Sequence, residues 1–302
     1  MEKLKLALMR TMIKAAVAWK WRGKKATDFV ATDQKIVVEN GNITIRVYQP
    51  NSANPLPVIL FFHGGGWAGF DINTHDALCR DLCVAANHIV MSVDYRLAPE
   101  YPFPFGINDC LTSLDWLADN ISNLGGDINR IAVCGDSAGG NLAAIVAQQA
   151  RKSHPGLIAA QILIYPVTDH PSQDWPSYNS KGGKGAELTH ETVNQLWHWY
   201  TRDSALWSEG QTAHELATPF RVDDLNGLPS AFVLLAENDL LHDEGKAYAE
   251  RMVSAGVEVS SKLYPNQQHG FVGTQPSSAH SEAVNDIANW LTAYWKRRDH
   301  AA

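Results

Sequence analysis

The 302-residue chain is poor in cysteine. Its four thiols, Cys79, Cys83, Cys110 and Cys134, all fall in the first half, within helix-like or strand-like stretches. This distribution argues against a disulfide framework and suits buried thiols in a reducing compartment, so a cytoplasmic location is expected. No apolar run reaches the roughly 18 residues of a membrane span, so no stable membrane insertion is expected. Basic charge is also scarce: 25 Lys and Arg against 32 Asp and Glu leave a net charge of −7. That balance opposes nucleic acid as a partner, because phosphate binding needs a basic face. Internal repeats and low-complexity tracts are absent too. What remains is 45% hydrophobic residues, enough for a sizeable core.

The first 25 residues are the local exception in charge. Lys3, Lys5, Arg10, Lys14 and Lys20 interrupt every apolar run, which is unlike a secretory signal. Leu4, Leu8, Ile13, Val17 and Trp19 suit an amphipathic helix, read first as a surface helix packed on its own domain and second as a membrane-touching one. Further on, His75, Cys79 and Cys83 recur at i, i+4 and i+8, a stripe that could present soft metal ligands. No fourth ligand follows at short spacing, and cysteine on an apolar helix face is usually core; no metal or cofactor is expected.

Residues 35–49 place Asn40-Gly41-Asn42 between two alternating apolar runs, which predicts a β-hairpin. Strands follow at 58–62, 89–95, 131–134, 160–166, 231–236 and 257–264. Helical patterns lie near 74–87, 106–123, 138–152, 244–255 and 280–296. Strands alternating with helices predict an α/β fold with a mostly parallel sheet covered on both faces. About 60 residues separate Pro166 from Ala231, too many for an ordinary crossover. With Trp175, Trp197, Trp199 and Trp207 and a helical stretch near 189–203, this segment reads as an ordered insertion over the sheet edge where ligands bind. The tryptophans themselves suit lid packing, at least two of them with no further role.

Ser137 stands in Gly135-Asp136-Ser137-Ala138-Gly139, between the apolar run 130–134 and the helix formers of 141–150. Strand, turn and helix in that order suit a nucleophile elbow, which would present the hydroxyl at a helix N-terminus beside the Ala138 amide. An ordinary serine in a tight loop is the plainer alternative. His63-Gly64-Gly65-Gly66-Trp67 follows the 58–62 strand directly, and its bare backbone suits an oxyanion site better than a phosphate cradle, since no P-loop or dinucleotide signature accompanies it. His63 is read as shaping the loop. His269 follows the last strand and is the candidate base, with His242 as a competitor. Asp239, just beyond the 231–236 strand, is the candidate orienting acid, whereas Asp243 and Glu244 read as first-turn helix acids. The order Ser137, Asp239, His269 is that of α/β-hydrolases.

Six motifs in order then carry a resemblance: HGGGW (63–67), DYRLAPE with YPFP (94–104), GDSAGGN (135–141), LIYPVTD (163–169), DLLHDEG (239–245) and HGF (269–271). The chain resembles the hormone-sensitive-lipase-like (bacterial family IV) carboxylesterases of the α/β-hydrolase fold. Leu240 departs from the proline common after the family's acid. The resemblance implies an eight-stranded, mostly parallel sheet with helices on both faces and a helical cap. It divides the chain into N-terminal cap helices (1–34), a first catalytic part (35–170), a cap insertion (171–217) and a second catalytic part (218–302). It also implies a Ser137, Asp239, His269 triad and Gly65, Gly66 and Ala138 as oxyanion donors.

The expected activity is that of a serine hydrolase acting on a small-molecule, short-chain acyl ester, and a homodimer is compatible with it. A ligand-binding receptor on a retired hydrolase scaffold, and a peptidase or amidase, are the alternatives.

Overall fold

The computed structural model describes residues 2–23 and 29–301, with side chains for 6–23 and 29–300. Residues 24–28 and the side chains of Lys3, Leu4 and Lys5, all part of the basic N-terminal reading, lie outside the described residues.

Helix α1 (Glu2–Lys20) precedes a hairpin of β1 (Phe29–Val38) and β2 (Gly41–Pro50). Glu39 and Asn40, the latter at φ 60°, make its turn between the paired Val38 and Gly41. The hairpin starts six residues before the predicted position 35, because Phe29–Gln34 extends the ladder against Ile45–Pro50. In α1, Leu6 and Val17 are buried, whereas Leu8 and Trp19 are 60% and 73% exposed. The apolar residues read from the sequence as one stripe therefore lie on different faces.

The remaining elements follow in order: β3 (Leu56–Phe62), α2 (Asp76–Ala86), β4 (Ile89–Asp94), α3 (Phe105–Asn120), β5 (Gly126–Asp136), α4 (Ala138–Ser153) and β6 (Ile158–Ile164). The insertion contributes α5 (Pro176–Lys181) and α6 (His190–Thr201), and β7 (Ser230–Asn238), α7 (His242–Ser254), β8 (Val259–Gln268) and α8 (Ser278–Ala301) complete the chain. The sheet has eight strands in the order β1-β2-β4-β3-β5-β6-β7-β8. Only β1/β2 and β2/β4 pair antiparallel.

Every residue of β3 and β6 is buried, as a strand covered on both faces requires. One face packs on α3, α4 and α7 through Ile107, Leu114, Leu142, Ile145 and Tyr248. The other packs on α2 and α8 through Leu78, Leu82, Val284, Ile287 and Leu291. Cys79 and Cys83 belong to this second core, which is what the i, i+4, i+8 stripe builds. Among the described residues, no three His, Cys, Asp or Glu side chains group so as to hold a metal ion, and no helix is long and apolar enough to cross a membrane.

The insertion is ordered by its own contacts. Thr189 caps α6 by accepting the Thr192 N–H. Arg221 closes the base with two hydrogen bonds to the buried Asp169 carboxylate, at 2.8 and 2.6 Å. Trp197 is buried and packs against Trp67, Tyr200, His170 and Trp207, while Trp175 packs on Phe220.

Candidate active site

The ends of β3, β5, β7 and β8 meet at one edge of the sheet, and each delivers one part of the site. At the end of β5, Ser137 adopts φ 56° and ψ −119°, a conformation that costs a non-glycine residue energy and is retained where geometry demands it. The turn is tight because Gly139, one residue into α4, lies against the Phe62 and His63 carbonyls; a Cβ there would collide with them. That close approach brings the loop after β3 beside the serine. Gly65 and Gly66 lie in this loop at φ 106° and 61°, conformations that side chains disfavour.

His269, just after β8, reaches back over the edge. Its Nε2 lies 2.9 Å from Ser137 Oγ and its Nδ1 2.7 Å from Asp239 Oδ2. Asp239 follows β7 directly and is 1% exposed, and its other oxygen accepts the Leu241 N–H at 3.0 Å. Tyr165 supports the imidazole with ring centroids 4.8 Å apart, its own hydroxyl donating to the Val272 carbonyl. The structure thus joins Ser137, His269 and Asp239 in one hydrogen-bonded array; Ala138 follows the serine at the start of α4, and Gly65 and Gly66 lie in the loop after β3.

The competitors occupy other places. His63 is fully buried, stacks on Tyr95 and donates from Nδ1 to the Gly64 carbonyl at 2.7 Å. Burial first, and His75 second, pull its pKa down to about 4, which leaves a neutral ring that braces the loop. His242 opens α7 with Nδ1 3.0 Å from the Asp243 carboxylate. Asp243 accepts the Ser177 N–H, tying α5 to α7. Glu244 departs from the surface role expected of a first-turn acid: it is fully buried, accepting the Thr168 N–H and the Tyr178 hydroxyl at 2.6 and 2.8 Å. Burial pushes its carboxyl up to about 8, against the opposing pull of those donors.

Sequence reasoning passed over three residues. Asp136, inside the quoted serine frame, accepts the Gly64 N–H at 2.9 Å and contacts His75 Nε2 at 3.1 Å. Burial alone would raise its carboxyl, but His75 and the Gly64 amide hold it below the usual carboxylate range. His75 had been read only with the cysteines. Leu196 of α6 lies directly against Gly66, where a Cβ would strike its isopropyl group. Its place in a helical pattern beside tryptophans was the available signal.

Comparison with known proteins decides the family. The alpha/beta hydrolase fold family matches residues 59–273. Carboxylesterase NlhH of Mycobacterium tuberculosis is 41% identical over 232 residues, covering 76% of this chain and 72% of that protein. The chain belongs to the α/β-hydrolase fold, among its hormone-sensitive-lipase-like carboxylic ester hydrolases. Solved members of this hydrolase family superpose closely. A hyperthermophilic esterase from the archaeon Pyrobaculum calidifontis matches with a TM-score of 0.90 and 33% identity over 95% of this chain and 93% of its own. The carboxylesterase EstE1, cloned from a metagenomic library, matches at 0.89 and 35%, over 96% and 97%.

Proposed function

We propose that the chain is a serine carboxylesterase that hydrolyses short-chain acyl esters through an acyl-enzyme on Ser137. The observation that carries this reading is the array from Asp239 Oδ2 through His269 to Ser137 Oγ, with links of 2.7 and 2.9 Å. Ser137 Oγ attacks the ester carbonyl while His269 Nε2 takes its proton. The oxyanion that forms is met by the amides of Gly65, Gly66 and Ala138 at the positive end of α4. His269 then returns the proton to the leaving alkoxide, and Asp239 holds Nδ1 protonated so that Nε2 faces the serine. Water, deprotonated by His269, attacks the acyl-enzyme and frees the carboxylic acid and Ser137.

Two contacts support the short-chain preference. Leu196 covers Gly66, and Trp197 packs on Trp67 two residues from Gly65. In this reading Leu196, the less buried of the two, limits the length of an acyl chain beside the oxyanion loop. The division into cap and catalytic parts at 1–34, 35–170, 171–217 and 218–302 belongs to the same reading, as does cytoplasmic action on a small-molecule ester.

Turnover of p-nitrophenyl acetate by wild type and by Ser137→Ala tests the mechanism. Loss of turnover in a folded variant is expected, and a variant with wild-type rates overturns it. An acyl anilide run in parallel separates esterase from amidase action.

A further inference from the structure

We propose that Arg10 of the N-terminal helix is a positioning residue for the oxyanion loop. The inference deepens the proposed function, since it rests on Gly65, Gly66 and Ala138 being the oxyanion donors.

Arg10 lies 58 residues from the loop in sequence, yet its Nε donates to the Ala68 carbonyl at 2.7 Å. Its terminal nitrogen donates to the Ala98 carbonyl, also at 2.7 Å. Both terminal nitrogens meet the Glu100 carboxylate, at 3.0 and 2.9 Å, so the planar guanidinium is fixed from a second side. The two segments that carry these carbonyls also meet directly, Ala98 N–H donating to the Trp67 carbonyl at 2.8 Å. Ala68 and Gly69 in turn donate to the Gly65 carbonyl at 3.2 and 2.8 Å. The path from the guanidinium to the Gly65–Gly66 peptide therefore runs through one tight backbone turn.

That turn holds Gly65 at φ 106° and Gly66 at φ 61°, values that glycine alone does not enforce. Some outside restraint must select them. On its inner side Asp136 supplies one by accepting the Gly64 N–H, and on its outer side Arg10 adds to the bond from Ala98. A second tie from the same helix, Lys14 to Asp71 at 2.7 Å, secures the stretch that follows the loop. Arg10 touches neither substrate nor reacting atoms in this scheme. It acts by keeping two amides aimed where charge develops, which matters more in the transition state than in the bound ester.

The plain alternative is that Arg10 only anchors α1 to the body. Val17, buried in the same helix beside Trp21, Thr74 and Ala77, provides the control. The experiment compares Arg10→Met, Arg10→Lys and Val17→Ala in the full chain. It measures kcat and KM for p-nitrophenyl acetate, Ki for an alkyl trifluoromethyl ketone that adds to the serine as an oxyanion, and melting temperature. The expected result for Arg10→Met is a fall in kcat of about 10- to 100-fold with KM changed by less than about threefold, the scale of a misplaced catalytic group.

Ki should rise by the same factor as kcat/KM falls, and Arg10→Lys should be intermediate. Val17→Ala should melt earlier and keep its Ki. Arg10→Met with an unchanged Ki, or losses that follow melting temperature equally in Arg10 and Val17 variants, would overturn the inference. If Arg10→Met does not fold, a full-rate Arg10→Lys without any change in Ki overturns it as well. Failure of the underlying reading looks different: Ser137→Ala would then bind the ketone as tightly as wild type.

Discussion

The Asp136 carboxylate, one residue before Ser137, accepts the backbone N–H of Gly64 at 2.9 Å, and this bond ties the serine turn to the glycine loop across 72 residues of sequence. Asp136 is also 3.1 Å from His75 Nε2 and almost wholly buried. Removing its carboxylate leaves the Gly64 amide and the His75 Nε2 without that partner in the core, so Asp136→Ala should lose about 3 to 5 kcal/mol of stability. Asp136→Asn keeps an oxygen for the Gly64 amide and should lose less than half as much. Urea denaturation of both variants checks the ranking, and equal losses would show that the bond to Gly64 is not what stabilises the pair.

Asp239 and Asp243 separate function from structure. Asp239→Asn should lower kcat by about 10⁴, because the amide can hold the wrong imidazole tautomer. Asp243 accepts the Ser177 N–H and should cost about 1 kcal/mol of stability when changed to Asn, a single hydrogen bond's worth, with kcat little altered. Paired kinetic and melting measurements decide the matter. The opposite ranking would move the acid to Asp243.

Glu244 predicts a pH dependence. Its carboxyl is ordinarily near 4.5 and is raised to about 8 in the folded chain. The folded state therefore binds the proton more tightly than the unfolded state. The stability that this contributes is complete below pH 4.5 and is lost as the pH rises towards 8. Melting temperature should fall across that interval by more in wild type than in Glu244→Gln, whose amide stays neutral. Parallel slopes in the two proteins would contradict the assignment.

The alternation of apolar strands and helices made the central sheet legible, and so did the positions of Ser137, Asp239 and His269, because each stands just beyond an apolar strand. In such a fold the strand ends converge, so chain order carries spatial information. What the sequence concealed depends on cross-chain approach. Asp136 stands in the serine frame with no role of its own until β3 and β5 pair and set Gly64 beside it. Arg10 reads as one more basic residue of an amphipathic helix until α1 lies against Ala68 and Ala98. Glu244 follows the first-turn rule for helix acids, but the 165–176 stretch and α5 cover it, and burial overrides that rule.

Acyl selectivity should depend more on Leu196 than on the tryptophans as a group. Wild type should prefer acyl chains up to about six carbons if Leu196, against Gly66, limits the acyl chain. Leu196→Ala removes the side chain against Gly66 and should shift kcat/KM towards longer chains, whereas Trp175→Ala, which loses contact with Phe220, should melt earlier and keep the profile. Ester series from acetyl to palmitoyl give the answer. A wild-type optimum at about ten carbons or more defeats the short-chain reading.

The central claim is that Ser137 is the nucleophile, and covalent labelling tests it most directly. A fluorophosphonate probe incubated with the purified chain, followed by peptide mapping, should place one adduct on Ser137. Ser137→Ala should take no label and lose several orders of magnitude in kcat with its melting temperature kept, because binding and the oxyanion site alone retain only about 10³ to 10⁴ over water. An adduct on a different residue, or a Ser137→Ala protein that keeps a tenth of the wild-type rate, would contradict the account.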